Sequence, residues 1–206
     1  MNQPLINNEP WRTSESLGSL LCSEKDITSR CIKGEAAFRK FEKVWLTRKK
    51  ISLDRTLRLY EAQVVSVMLY NSNSWSATKT SLEKLDVTHR RHLRRILNIR
   101  YPGMISNSTL YKRCSVAKLS DRVSEYRWRM LGHILRSDEN TAAQLALIFA
   151  VEADKSLIGR IGRPRSNLLT LKKNDLNQRN LKMNSIAELN DIREIARCRE
   201  RWKNLF

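Results

Sequence analysis

From residue 27 to residue 136, apolar side chains recur every three or four positions, the period of a helix with one buried face. Ile27, Cys31, Ala37, Phe41, Val44 and Trp45 share a face, which predicts a helix from Ile27 to about Trp45. Ser52 is a plausible N-cap for a second helix through Tyr70, with Leu53, Leu57, Tyr60, Val64 and Met68 at helical intervals. It is the most apolar of the set and is predicted to be central. Asn71 to Ser74 reads as a turn, because Asn tolerates left-handed backbone and short polar side chains satisfy free backbone groups. Thr80 or Ser81 is the expected cap of a third helix to about Ile99, stopped by Tyr101, Pro102 and Gly103. A short helix is predicted over Ser106 to Arg113 and a long one over Ser120 to Arg136.

The pattern is weaker at both ends. Ser16 to Cys22 fits a short strand beside a turn. Beyond Asn140, Ala142 to Glu152 fits another helix, Gly159 to Pro164 reads as loop, and Ser166 to Phe206 holds one or two polar helices. The fold expected is mainly α: a helical bundle with a short N-terminal strand or hairpin and a less compact helical C-terminal extension. Its segments are 1–26, 27–136 and 137–206.

Composition narrows the class. With 41% hydrophobic and 29% charged residues, the 206-residue chain can build a modest core, most simply one domain plus an appendage. Six Gly and four Pro are too few for turn-rich sandwiches, barrels or Gly-cradled nucleotide folds. The four cysteines form no CxxC pair, so reduced thiols are expected. The first residues show neither a basic stretch nor an apolar core of a secretory signal. The longest apolar run, Ala142 to Val151, is interrupted by Gln144 and reaches only about half a bilayer's span. An intracellular protein of nucleus or cytoplasm, with no membrane partner, is the expectation.

Charge adds the most. The net formal charge is +18 and the isoelectric point is near 10.2, the balance expected for a polyanionic partner such as nucleic acid. Residues 89–136 hold twelve Lys or Arg against only Asp121 and Glu125, whereas residues 51–88 balance at four of each sign. At about 100° per residue, Arg90, Arg94, Arg91 and Arg95 project to about 0, 40, 100 and 140°, opposite Leu82, Leu85, Leu93, Ile96 and Leu97. Guanidinium forks match phosphate oxygens in pairs, so this face suits a sugar–phosphate backbone; a solvated helix surface is the plainer reading. On the next long helix Arg122, Arg129, His133 and Arg136 cluster beside an apolar arc, with Tyr126 at its edge. Arg127 falls inside that arc, where a charge has no evident place. Arg163 and Arg165, flanking Pro164, fit either a basic linker or a narrow A·T-rich minor groove.

Catalytic chemistry has no visible support. There is no Asp-Asp or Asp-x-Asp pair to hold Mg²⁺, and Asp138 and Glu139 sit in a polar loop. His89 and His92 have a spacing that can bind zinc but no second ligand pair nearby, and His89 projects into the leucine face as a core histidine would. No metal site, catalytic residue or cofactor is expected.

Several short strings, in order, resemble the reverse transcriptases of non-LTR (LINE-like) retrotransposons, in the portion that follows the polymerase palm. Ser16 to Leu20 is similar to that family's aromatic-Leu-Gly strand. Ala36 to Phe38 with Val44 and Trp45, and Leu57 to Tyr60 with Leu69, Tyr70 and Trp75, resemble the two helices after it. Leu85 and Asp86, His89 to Leu97, and Arg127 to Arg136 continue the likeness. Gly162 to Arg165 and Arg199 to Trp202 match some tails. Ser16 stands where an aromatic is usual, Asn71 where Gly is usual and His92 where Cys is common.

The resemblance implies a helical thumb over 27–136 that holds a template–primer duplex. A primer-grip-like turn at Leu17 and Gly18 would precede it, and a nucleic-acid-binding extension would follow. It also implies a missing palm and fingers region as a partner, since the catalytic aspartates have no counterpart here; the chain by itself is expected not to polymerise. The alternatives are a basic helical interaction protein with an acidic protein partner, and a non-functional retrotransposon relic.

Overall fold

The computed structural model describes residues 5–6, 9–10, 14–46, 51–153 and 167–206. The loop expected over Gly159 to Pro164 lies outside the described residues. The chain is mainly helical with short antiparallel pairing at its N-terminus. It divides into two compact units, one of residues 1–72 and 77–123, the other of residues 73–76 and 124–206.

In the first unit, β1 (Leu5–Ile6) pairs with β2 (Glu9–Pro10), and β3 (Glu15–Ser16) with β4 (Ser19–Leu20). The second hairpin turns through two left-handed residues, Leu17 at φ 50° and Gly18 at φ 77°. Successive positive φ values are what a tight two-residue turn between twisted strands requires.

Helix α1 (Ser23–Phe41) carries Glu24 and Asp26 in its first turn and Arg39 and Lys40 in its last, the arrangement its dipole favours. It runs into a π-helical turn, Glu42–Leu46. Next comes α2 (Leu53–Tyr60), continued by a π-helical turn at Glu61–Val65 and the short α3 (Ser66–Met68). As expected, this segment is central: Tyr60, Val64, Val65 and Met68 are fully enclosed. Gly34 explains how α1 approaches so closely, because a Cβ there would stand 2.3 Å from the Cγ of Met68.

The turn after α3 has Asn71 left-handed at φ 57°. Helix α4 (Lys79–Ile96) packs on α1, and α5 (Asn107–Cys114) follows. The first unit closes with Leu119 and Val123, the opening turns of α6 (Leu119–Arg136). Phe38, Leu85, Leu93, Leu110, Leu119 and Val123 complete its core.

In the second unit, the rest of α6 meets α7 (Ala142–Ala153), α8 (Leu168–Asn177), α9 (Ile186–Arg197) and α10 (Arg199–Asn204). Trp128, Leu131, Leu135, Leu147, Leu176, Leu189, Ile192 and Trp202 share one core. The division therefore falls after Val123, within α6, where a boundary at residue 136 was expected. The helices beyond 136 bury their apolar faces on the same stretch of α6 that supplies Trp128 and Leu131.

Candidate nucleic-acid interface

Helix α4 begins two or three residues earlier than its sequence implied. Thr78, extended at ψ 160°, caps it by accepting the Ser81 N–H at 3.2 Å; Thr80 lies inside the first turn. The far end is also earlier. Asn98 turns left-handed at φ 52° and the Ile99 N–H closes on the Arg94 carbonyl, so the helix stops before Tyr101 is reached.

The inner face of α4 is fixed by a buried polar chain. Tyr60 Oη lies 2.9 Å from His89 Nδ1 and 3.2 Å from His92 Nδ1, while His92 Nε2 lies 2.8 Å from Glu35 Oε2. Burial pushes the Glu35 carboxyl up, but hydrogen bonds from His92, Arg95 and Arg39 outweigh it and hold the group at about 2. Burial also drives His89 down to about 3 and lowers His92, despite the pull of Glu35 on the latter. Both imidazoles are therefore neutral near pH 7. One proton order satisfies every contact: His89 Nδ1–H donates to Tyr60, Tyr60 O–H donates to His92 Nδ1, and His92 Nε2–H donates to Glu35. His89 is the hydrogen-bonded core histidine its helical projection implied. Among the described residues, no three His, Cys, Asp or Glu side chains group as metal ligands.

This anchoring sets which basic side chains of α4 face outward and which are tied down. Arg95 is tied to both Glu35 (Nη1 to Oε1, 2.9 Å) and Glu42, and its guanidinium lies 4.6 Å over the Phe38 ring. Arg90, whose side chain is 12% exposed, binds Glu83 at 2.5 Å. Arg94 donates to a neutral acceptor, Asn107 Oδ1, at 2.7 Å. Arg91 is exposed and has no ion pair or side-chain hydrogen bond among the described residues. The four arginines expected to act as one phosphate-gripping row are therefore not equivalent. Carboxylates from the π-helical turn and α1, more than fifty residues away in sequence, neutralise Arg95.

On α6 the same sorting recurs. In the first unit, Arg122 pairs with Glu61 at 2.5 Å. In the second, Arg129 pairs with Glu125 four residues before it, and Arg136 Nη1 donates to the Ala196 carbonyl at 3.0 Å, satisfying an orphan at the end of α9. His133 is exposed. Arg127, unplaced from sequence, is buried and holds Asp175 through two hydrogen bonds of 2.6 and 2.9 Å. Arg163 and Arg165 lie outside the described residues.

The hairpin tip expected to resemble a primer grip is braced from three sides. Asp26 accepts from Ser19 Oγ at 2.6 Å and from the Leu20 N–H at 3.1 Å. Arg30 donates to the Gly18 carbonyl at 2.5 Å, and Tyr70 Oη donates to the Leu17 carbonyl at 2.9 Å. Leu17 stands out at the tip, 91% exposed. An exposed leucine held in left-handed backbone is a strained arrangement kept in place by its neighbours.

Side chains not singled out in the sequence join this surface. Arg100, Lys112, Arg113 and Lys118 are exposed and, among the described residues, belong to no ion pair. Their signal was present in the one-sign block of residues 89–136, but they sit in loops or on a helix too short to show a basic face. Compared with family models, curated proteins and solved structures, the chain matches none.

Proposed function

We infer that the chain binds nucleic acid as the thumb-like helical portion of a non-LTR retrotransposon reverse transcriptase, gripping a template–primer duplex through its backbone. The observation that carries this reading is the surplus of unneutralised cations in the first unit. Arg91, Arg94, Arg100, Lys112, Arg113 and Lys118 have no carboxylate partner among the described residues, within a stretch that supplies most of the net charge. Cations left in water beside a packed core are the footprint of phosphate contacts, which position a duplex without reading its sequence. The braced Leu17–Gly18 turn fits the primer-grip role that the resemblance implies. In this reading the polymerase aspartates belong to a palm region outside this chain, which acts as a binding portion and not as a catalyst.

The test is a fluorescence-anisotropy titration with a short RNA–DNA hybrid duplex. With five or six phosphates neutralised, affinity falls roughly 10³-fold between about 50 and 200 mM salt. Affinity that stays flat over that range rejects the reading. Polyglutamate that displaces the duplex as effectively as unlabelled hybrid duplex favours an acidic protein partner instead.

A further inference from the structure

A phosphate gains little from a guanidinium that already has two carboxylates, because those partners must be surrendered first. On α4 this disqualifies Arg95. The outer side of the helix offers a different set. Lys84 and Arg91 stand two turns apart, about 10 Å along the axis, on one face. Lys84 pairs with Glu24 at 4.0 Å, and the two side chains are 54% and 72% exposed. Such a solvent-screened pair contributes little. An open depression of about 640 Å³ runs between these cations, lined by Lys79, Lys84, Val87 and Arg91 together with Glu83. The Glu83 carboxylate is already bound to Arg90, which holds it below the usual carboxylate range, so the depression keeps its positive character. The residues available to an anion thus begin about three turns N-terminal to the arginine cluster.

We propose that Lys84 and Arg91, with Lys79 at the helix start, form the line along α4 that meets the phosphodiester backbone, while Arg95 is an internal strut and Arg90 neutralises Glu83. This rests on the nucleic-acid reading above and assigns its contacts. Lys79 and Lys84 lie in the stretch where the two charge signs balance in sequence. Their acidic neighbours are spatially occupied or screened, and sequence counting alone does not reveal that.

The experiment compares two double variants of equal charge change in the full chain, K84Q/R91Q and R197Q/R201Q, using the hybrid duplex. Each lost phosphate contact removes about 0.9 from the slope of log affinity against log salt. K84Q/R91Q is expected to flatten the slope by about 1.8 with its thermal midpoint unchanged, and R197Q/R201Q to leave the slope as in the parent. Equal flattening by both doubles, or none by K84Q/R91Q while the parent binds, overturns the assignment and leaves the nucleic-acid reading standing. A parent chain that does not bind overturns both. R95Q is a further check: it is expected to lower the thermal midpoint, because Glu35 and Glu42 lose their partner, and to keep the parent's salt slope.

Discussion

The two units differ in how many of their basic side chains the fold neutralises. In the first, many basic side chains of residues 89–118 project into solvent with no acid nearby. In the second, several arginines are building material, although Arg199 and Arg201 are exposed. Arg127 and Asp175 form a buried pair, and Arg136 closes the end of α9. Arg179 lies 4.5 Å over Trp128 and 4.8 Å over Phe206 while donating to the Asp175 and Leu205 carbonyls. Arg193 reaches Glu139 and Gln144. Net charge therefore describes a segment's composition and not its use. What separates a binding cation from a structural one is whether the fold delivers a carboxylate or carbonyl to it.

That contrast can be broken most severely in the second unit. Asp175→Ala leaves Arg127 buried without a counter-ion, and a loss of about 3–5 kcal/mol is expected. Denaturant unfolding followed by tryptophan fluorescence reports it, since Trp128 and Trp202 lie in that core. A change under about 1 kcal/mol would show that water reaches the guanidinium.

Gly132→Ala comes next. The added Cβ would stand 2.3 Å from the indole nitrogen of Trp202, whose ring stacks on Trp128 at 4.0 Å; each indole N–H donates to the other residue's carbonyl. Overpacking of this kind costs about 1–3 kcal/mol. The same fluorescence titration should show it, with loss of the exciton signal of stacked indoles in circular dichroism.

Acid tests the first unit. His89 stays neutral in the folded chain down to about pH 3 against its ordinary 6.5, so below about pH 6.5 the unfolded chain takes up a proton that the folded chain refuses. Stability is full above that pH and is lost on acidification, by up to about 1.4 kcal/mol for each pH unit crossed. His92, also lowered, acts in the same direction, and Glu35, held at about 2 against 4.5, extends the loss lower. Thermal midpoints measured from about pH 7 to pH 4 should fall steadily, and His89→Gln should flatten that slope. Midpoints that rise with acid would contradict the proton order from His89 through Tyr60 to Glu35.

The smallest effect has the opposite sign. Lys172 is buried beside Arg127, and burial, then that neighbouring charge, lowers its ammonium from the ordinary range. Replacing it with methionine removes a cation that has no partner among the described residues, and a gain of about 1 kcal/mol is expected in the same unfolding assay. A loss would mean that its charge is compensated.

Much of the fold was legible because helical periodicity is a local property. The faces of α4 and α6, the central position of Tyr60 and Val64, and the core placement of His89 all follow from spacing alone. Details decided by backbone geometry were not: the sequence reading put the cap at Thr80 or Ser81, whereas the extended backbone at Thr78 places it there. The candidate site was half legible. Positive charge over residues 89–136 could be counted, but its neutralisation could not, because Glu42 reaches Arg95 across 53 residues and Asp175 reaches Arg127 across 48. Long-range ion pairs leave no periodic trace.

On the proposed reading, unpaired cations of the first unit meet the nucleic-acid backbone while its carboxylate-bound arginines do not. The most direct measurement follows side-chain Nε–H resonances of isotope-labelled arginines by NMR as hybrid duplex is added. Shifts are expected at Arg91, Arg94 and Arg100, with Arg95 and Arg122 unmoved. Equal shifts at Arg95 and Arg122, or no shift at any of the five, would contradict it.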